Sequence, residues 1–198
     1  MKILLVSDEP DRYLWDDYKP GNLDGLDLIL AAGDLKANYL SFLVTFANCP
    51  LLYIPGNHDE IFQERPPEGC DNIDGHLVKI NGLRIAGLGG CRKYKDGAFQ
   101  LTERDMMHKI RRMNRLVKKA GGVDIVLTHS PAAGYGDETH PAHRGFDAFI
   151  PMMENWKPKY LVHGHVHLRY RPGAQRIYQH GETIIINACG KYFLDINQ

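Results

Sequence analysis

The chain has 198 residues, 43% of them hydrophobic, with 24 Lys and Arg against 24 Asp and Glu. That length and apolar content suit one domain with a substantial core, while the balanced charge excludes both a global basic field for nucleic acid and an acidic solvated arm. No stretch approaches the roughly 18 consecutive apolar residues of a membrane span, and the amino terminus enters a strand without a signal-length apolar segment, so a single cytoplasmic domain over residues 1–198 is expected. Four cysteines, Cys49, Cys70, Cys91 and Cys189, are widely spaced and form no C-x-x-C, which reads as thiols in a reducing compartment. Ten histidines are the one compositional anomaly.

Apolar runs at 2–6, 27–31 and 51–54 predict buried strands, each ending in a turn rich in Gly, Asp or Asn. Between the second and third, Tyr39, Leu40, Leu43, Val44 and Ala47 keep helical spacing, so 36–47 closes a βαβ unit and implies a parallel sheet. Asn81-Gly82 lies between two apolar arms over 76–88, a hairpin signal because a type I′ turn needs positive φ at both central residues; the sheet is therefore mixed. From Thr102 the sequence TERD resembles a capping box, and Met106, Ile110, Met113 and Val117 form one apolar stripe running to Gly121. Lys109, Arg111, Arg112, Arg115, Lys118 and Lys119 lie on the other faces, either as a solvated surface or as a contact for nucleic acid or an acidic partner. A strand at 123–129 leads into a long polar loop, 130–145, of a length that is usually functional. A helix at 146–155, a strand at 159–165 and closing strands at 174–180, 183–188 and 192–196 complete the chain.

The ends of these strands share one feature. Asp8 follows KILLVS, Asp34 follows ILAAG, Asn57 and His58 follow LLYIPG, His129 follows DIVLT, and LVHGHVH supplies His163, His165 and His167. Oxygen and imidazole donors are thus delivered to one sheet edge by separate strands, as a site for a borderline-hard divalent metal requires, and no thiolate belongs to the set. Taken singly, Asp34 could cap the following helix and His129 could be a hydrogen-bonded core histidine. His165 and His167, at i and i+2, would project the same way from an extended segment.

SD (7–8), GD (33–34), GNHD (56–59), TH (128–129) and GHVH (164–167) resemble the ordered motifs of the calcineurin-like metallophosphoesterase superfamily, and GLGG (87–90) with AHRGF (142–146) resembles a branch of small bacterial phosphoesterases. The resemblance implies an α/β fold, a four-layer α/β/β/α sandwich with two mixed β-sheets flanked by helices. It also implies two divalent ions, Mn, Fe, Zn or Ni, with Asp34 bridging. One ion would add Asn57, His129 and His165; the other would add Asp8, His167 and a histidine two residues after Asp8. That last position is Pro10, which offers no donor. Either the first ion is held by three residues and is labile, or Glu9 or Asp11 takes over. Glu9 is disfavoured because adjacent residues on an extended segment point to opposite sides, and Asp11 reaches only if the chain turns.

The implied activity is metal-dependent phosphoester hydrolysis, with a small soluble phosphodiester, such as a nucleotide, as substrate. His58 would stabilise transition-state charge or protonate the leaving oxygen, and Asp59 would orient the His58 ring. Arg92, Tyr94, His143 and Arg144 are groups able to meet a phosphate or stack on a base. A catalytically weakened relative acting as a nucleotide- or metal-binding scaffold is the rival that Pro10 favours, and a nuclease using the basic helix is a third reading.

Overall fold

The computed structural model describes residues 1–170 and 173–196. Strand β1 (Lys2–Ser7) alternates its side chains between two buried faces: Ile3 and Leu5 enter one core, Leu4 and Val6 another. β2 (Leu28–Ala31), α1 (Ala37–Ala47) and β3 (Leu51–Tyr53) form the expected parallel βαβ unit, and β4 (Asp71–Asn72) extends it. β5 (Leu77–Ile80) and β6 (Leu83–Leu88) pair antiparallel around Asn81 and Gly82, whose φ values of 49° and 81° meet the demand of the turn. β7 (Cys91–Arg92) and β8 (Gln100–Leu101) make a small parallel pair before α2 (Glu103–Ala120). β9 (Ile125–Thr128), α3 (Phe149–Trp156), β10 (Tyr160–His163), β11 (Ile177–His180), β12 (Thr183–Asn187) and β13 (Gly190–Asp195) follow.

One sheet has the strand order β13-β1-β2-β3-β4, with β13 antiparallel to β1 and the rest parallel. The second has the order β11-β12-β10-β9-β6-β5, parallel at its centre and antiparallel at both margins. Ile3, Leu5, Leu28 and Leu30 of the first meet Ile125, Leu127, Val162 and Ile186 of the second in a shared core. Tyr39, Leu40 and Leu43 of α1 cover the outer face of the first sheet. On the other side, Met106, Ile110, Met113 and Val117 of α2 pack with Phe149, Met152 and Met153 of α3 against Val126, Leu161 and Ile185. The result is an α/β/β/α sandwich.

The apolar stripe read on α2 is the buried set, and Thr102 and Asp105 exchange both hydrogen bonds of the capping box. Each large apolar side chain so buried contributes on the order of 2 kcal/mol, against about 1 kcal/mol for the cap, so packing decides where the helix lies. Lys109 is no part of a free basic face: its Nζ reaches Asp74 at 2.6 Å and the Gly89 carbonyl at 3.2 Å, tying α2 to the segments before β5 and after β6. The strand expected at 159–165 stops at His163, because His165 has a φ of 69°, which no strand accommodates.

Candidate metal centre

The carboxyl ends of β1, β2, β3, β9 and β10 meet at one edge between the sheets, and the backbone there is turned sharply. Among the described residues six non-glycines have positive φ, and three of them are motif residues: Asp8 at 62°, Asp34 at 57° and His165 at 69°. Left-handed backbone costs a non-glycine residue free energy and persists where the surroundings impose it, which singles out this edge as a constrained site. Two glycines permit the approach. A Cβ on Gly56 would sit on the Asp34 carboxylate, and one on Gly164 would lie 2.8 Å from Asp8 Oδ2.

Four of the expected ligands converge. His129 Nδ1 donates to the Ala32 carbonyl at 2.7 Å, and His165 Nε2 donates to the Ala142 carbonyl at 2.6 Å. A carbonyl can only accept, so each ring has spent its N–H outward and turns its bare nitrogen inward. His129 Nε2 therefore faces His165 Nδ1 at 3.1 Å, Asn57 Oδ1 at 3.0 Å and Asp34 Oδ2 at 3.3 Å. Two lone pairs at that distance repel unless a cation lies between them. Donors bound at about 2.1 Å to one ion in a tetrahedron would stand about 3.4 Å apart, so the spacing fits a divalent metal.

Without a metal, a proton takes that place. Burial opposes charge on His129, but Asp34 outweighs it and pushes the imidazole up to about 9. Asp34 also suffers burial, yet His129 and the His58 amide, which donates to Asp34 Oδ1 at 2.8 Å, hold its carboxyl well below the usual range. His165 is driven down to about 3 by burial and by the charge of His129, so it is the neutral ring of the pair. His163, by contrast, faces the core: burial pushes it down to about 4, and its Nε2 has no partner among the described residues.

His167 does not join this group. Its Nδ1 lies 2.6 Å from Glu9 Oε1, and the Cys189 thiol is the third member of that cluster. The argument from an extended segment against Glu9 does not apply, because the left-handed turn at Asp8 ends the extension, and the Cys189 thiol lies among the donor atoms there. Nor do His165 and His167 act as an i, i+2 pair on one face. Both oxygens of Asp8 accept from the His165 amide at 3.0 Å, and burial raises its carboxyl. Asp11 turns away, capping the short turn at Arg12–Leu14 and accepting from Lys191 at 2.7 Å.

His58 is exposed at the rim. Asp59 does not reach for its ring. Instead Asp59 Oδ2 accepts from the amides of Asp34 at 2.7 Å and Gly56 at 2.8 Å, clamping the two ligand loops together, while burial raises its carboxyl to about 6. Tyr94 stands beside the centre, its hydroxyl 3.4 Å from Asn57 Nδ2. Arg92 is occupied elsewhere, donating to the Gly145 carbonyl at 3.0 Å and Asp147 at 2.9 Å. In the long loop His143 pairs with Glu138 at 3.0 Å and packs edge-on against His165, whereas Arg144 is exposed. A cleft of about 510 Å³ is lined by Asp34 and His58 together with Ile61, Phe62, Lys36 and Arg65. These last two cations carry no motif and were invisible in the sequence.

Fold and donor set together define a four-layer α/β domain with a cation-binding sheet edge. Residues 1–190 match the calcineurin-like phosphoesterase superfamily domain, and the chain belongs to that family. It is 28% identical over 119 residues to UPF0046 protein T07D4.2 of Caenorhabditis elegans, a match covering 59% of this chain and 28% of that protein, so the chain spans well under half the length of that relative. The crystal structure of TT1561 of Thermus thermophilus superposes with a TM-score of 0.60 over 95% of this chain and 88% of that one, at 13% identity, a likeness of fold. A slighter similarity, with a TM-score of 0.38 at 14% identity over 97% of this chain and 80% of the other, relates it to a diphosphatase from the PhnP family.

Proposed function

We propose that the protein hydrolyses a small soluble phosphodiester, such as a nucleotide, at a centre of two divalent ions. The observation that carries this reading is the pair of imidazole nitrogens of His129 and His165, turned inward 3.1 Å apart beside Asp34 and Asn57, an arrangement suited to a shared divalent ion. Asp34, Asn57, His129 and His165 would hold one ion, with His167 serving the second, and Asp8, whose oxygens accept from the His165 amide, standing between them. Ions bound there supply Lewis-acid charge to the phosphoryl oxygens and acidify an attacking water.

The chain's own groups do the rest. His58, exposed above Asp34 and fixed through its backbone amide, protonates the leaving oxygen. Lys36 and Arg65 in the lining of the cleft meet anionic parts of the substrate, and Ile61 and Phe62 offer it an apolar wall. Arg92, which the sequence suggested for phosphate, is replaced in this role by Lys36 and Arg65. Nucleic-acid duplex is a poorer fit, since the cleft is small and Lys109 is drawn into the fold.

Hydrolysis of bis-p-nitrophenyl phosphate with added manganese tests the reading. The wild type is expected to turn over and Asp34→Ala to lose both metal and activity, while His58→Ala keeps its metal and loses about 10²–10⁴-fold in kcat. A wild type that binds metal yet stays inactive on diesters and monoesters alike would favour the scaffold reading that Pro10 raises.

A further inference from the structure

Two residues after Asp8, where the resemblance implies an imidazole, this chain has an exposed proline. The turn at Asp8 brings the residue that follows it back over the same edge: Glu9 Oε1 lies 2.6 Å from His167 Nδ1, and the ligand atoms of Glu9, His167 and Cys189 all fall within 4.8 Å of one another. Resting on the reading that this edge is a metal centre, we propose that Glu9, His167 and Cys189 form a carboxylate–imidazole–thiolate site for its second ion, selective for a thiophilic divalent cation such as zinc or cobalt.

Three features of the fold argue that the cluster is built. Cys189 is buried and follows β12, and its segment bridges Ser7 at the end of β1, next to the Asp8 turn. Asn187, itself buried, accepts from the Cys189 amide at 2.8 Å and donates to the Val166 carbonyl at 2.9 Å, so one side chain locks the thiol segment to the loop bearing His167. Arg176 reinforces it from outside, donating to the carbonyls of Asn187 at 2.8 Å and Cys189 at 3.1 Å.

The charges also suit the ion. A carboxylate and a thiolate supply two negative charges to a divalent cation, and imidazole is the neutral third donor; on binding, the thiol proton leaves to solvent. Arg169 Nε forms an ion pair with Glu9 Oε1 at 3.1 Å from the solvent side, on the same oxygen that His167 meets. Sulfur and imidazole together favour zinc or cobalt over magnesium or manganese, whereas the Asp34, Asn57, His129 and His165 set contains only nitrogen and oxygen. The two ions of the centre would thus differ in kind.

Titration of the metal-free protein with cobalt(II), followed by absorbance and by calorimetry, tests the assignment without recourse to activity. Two equivalents should bind, one of them producing a near-ultraviolet thiolate-to-cobalt charge-transfer band. Cys189→Ser should lose that band and weaken one equivalent by about tenfold or more, leaving the other unchanged. Glu9→Gln should weaken the same equivalent. Because glutamine can still accept from His167, full affinity in Glu9→Gln would mean that Glu9 only orients the ring and would overturn its place as a ligand. Two equivalents bound by the wild type with no charge-transfer band, or a band that survives Cys189→Ser, would overturn the site. Failure to bind any cobalt would instead overturn the metal-centre reading beneath it.

Discussion

His129 Nε2 and His165 Nδ1 face each other at 3.1 Å with both outer N–H groups already committed to the carbonyls of Ala32 and Ala142. One proton or one metal ion satisfies the pair, and the two compete. In the metal-free protein Asp34 holds the proton on His129 up to about 9, well above the ordinary value of 6.5.

A folded-state value raised above the unfolded one contributes stability that is complete below 6.5 and is lost as pH rises through about 9. Asp34, whose value is depressed, contributes stability above its ordinary 3.8 that is lost as pH falls through the lowered folded value. The metal-free protein should therefore melt at progressively lower temperature from pH 6.5 to 9. Over the same window apparent metal affinity should rise, by up to about tenfold per pH unit, as the ion displaces one proton. Calorimetry at pH 7 in two buffers of different ionisation enthalpy measures the protons released. Binding at the His129 set with no proton release would refute the shared-cation account.

Much of this was legible in the sequence because it is local. The α2 stripe of Met106, Ile110, Met113 and Val117, its Thr102 cap and the Asn81-Gly82 turn are fixed by neighbours within a few residues, and each lies where pattern put it. The alternation of Ile3, Leu4, Leu5 and Val6 is equally local, and it implied a strand covered on both faces. The ligand motifs were legible because they terminate apolar runs. What was not legible depends on contacts across the fold. Glu9 reaches His167 only because Asp8 adopts a left-handed turn held by hydrogen bonds from His165, 157 residues away. Asp59 finds its partners in backbone amides, which no side-chain motif announces. Lys36 and Arg65 become neighbours of the centre only when the segment after β3 folds back beside the start of α1.

The contact of Asp59 with two amides makes it a positioning residue for Asp34. Asp59→Ala leaves the buried Asp34 and Gly56 N–H groups without an acceptor, at about 1–3 kcal/mol each. It should lower both the melting temperature and the affinity of the Asp34-containing site. Asp59→Asn keeps one acceptor oxygen and should recover most of both. If Asp59→Ala instead left metal affinity intact and removed only turnover, the residue would be acting through the His58 ring and the clamp would be incidental.

Arg92 and the pair Lys36 and Arg65 make opposite predictions. Arg92 is three-quarters buried at its side chain and bonds Gly145 and Asp147, while Glu103 accepts from the Ala148 amide at 2.6 Å, so the two residues fasten the end of the long loop to the start of α2. Removing Arg92 breaks hydrogen bonds to a charged donor worth about 1.5–3 kcal/mol in total, and each kcal/mol costs about 2–4 °C in a domain of this size. Arg92→Ala should therefore melt several degrees lower with little change in KM. Lys36 and Arg65 are exposed in the lining of the cleft, where removal costs the fold little but withdraws charge from an anionic substrate. Lys36→Ala and Arg65→Ala should keep the melting temperature within about a degree, with each raising KM for a nucleotide diester on the order of tenfold, equivalent to about 1.4 kcal/mol. An Arg92 variant that raised KM at unchanged melting temperature would return that residue to the substrate site and displace the cleft from it.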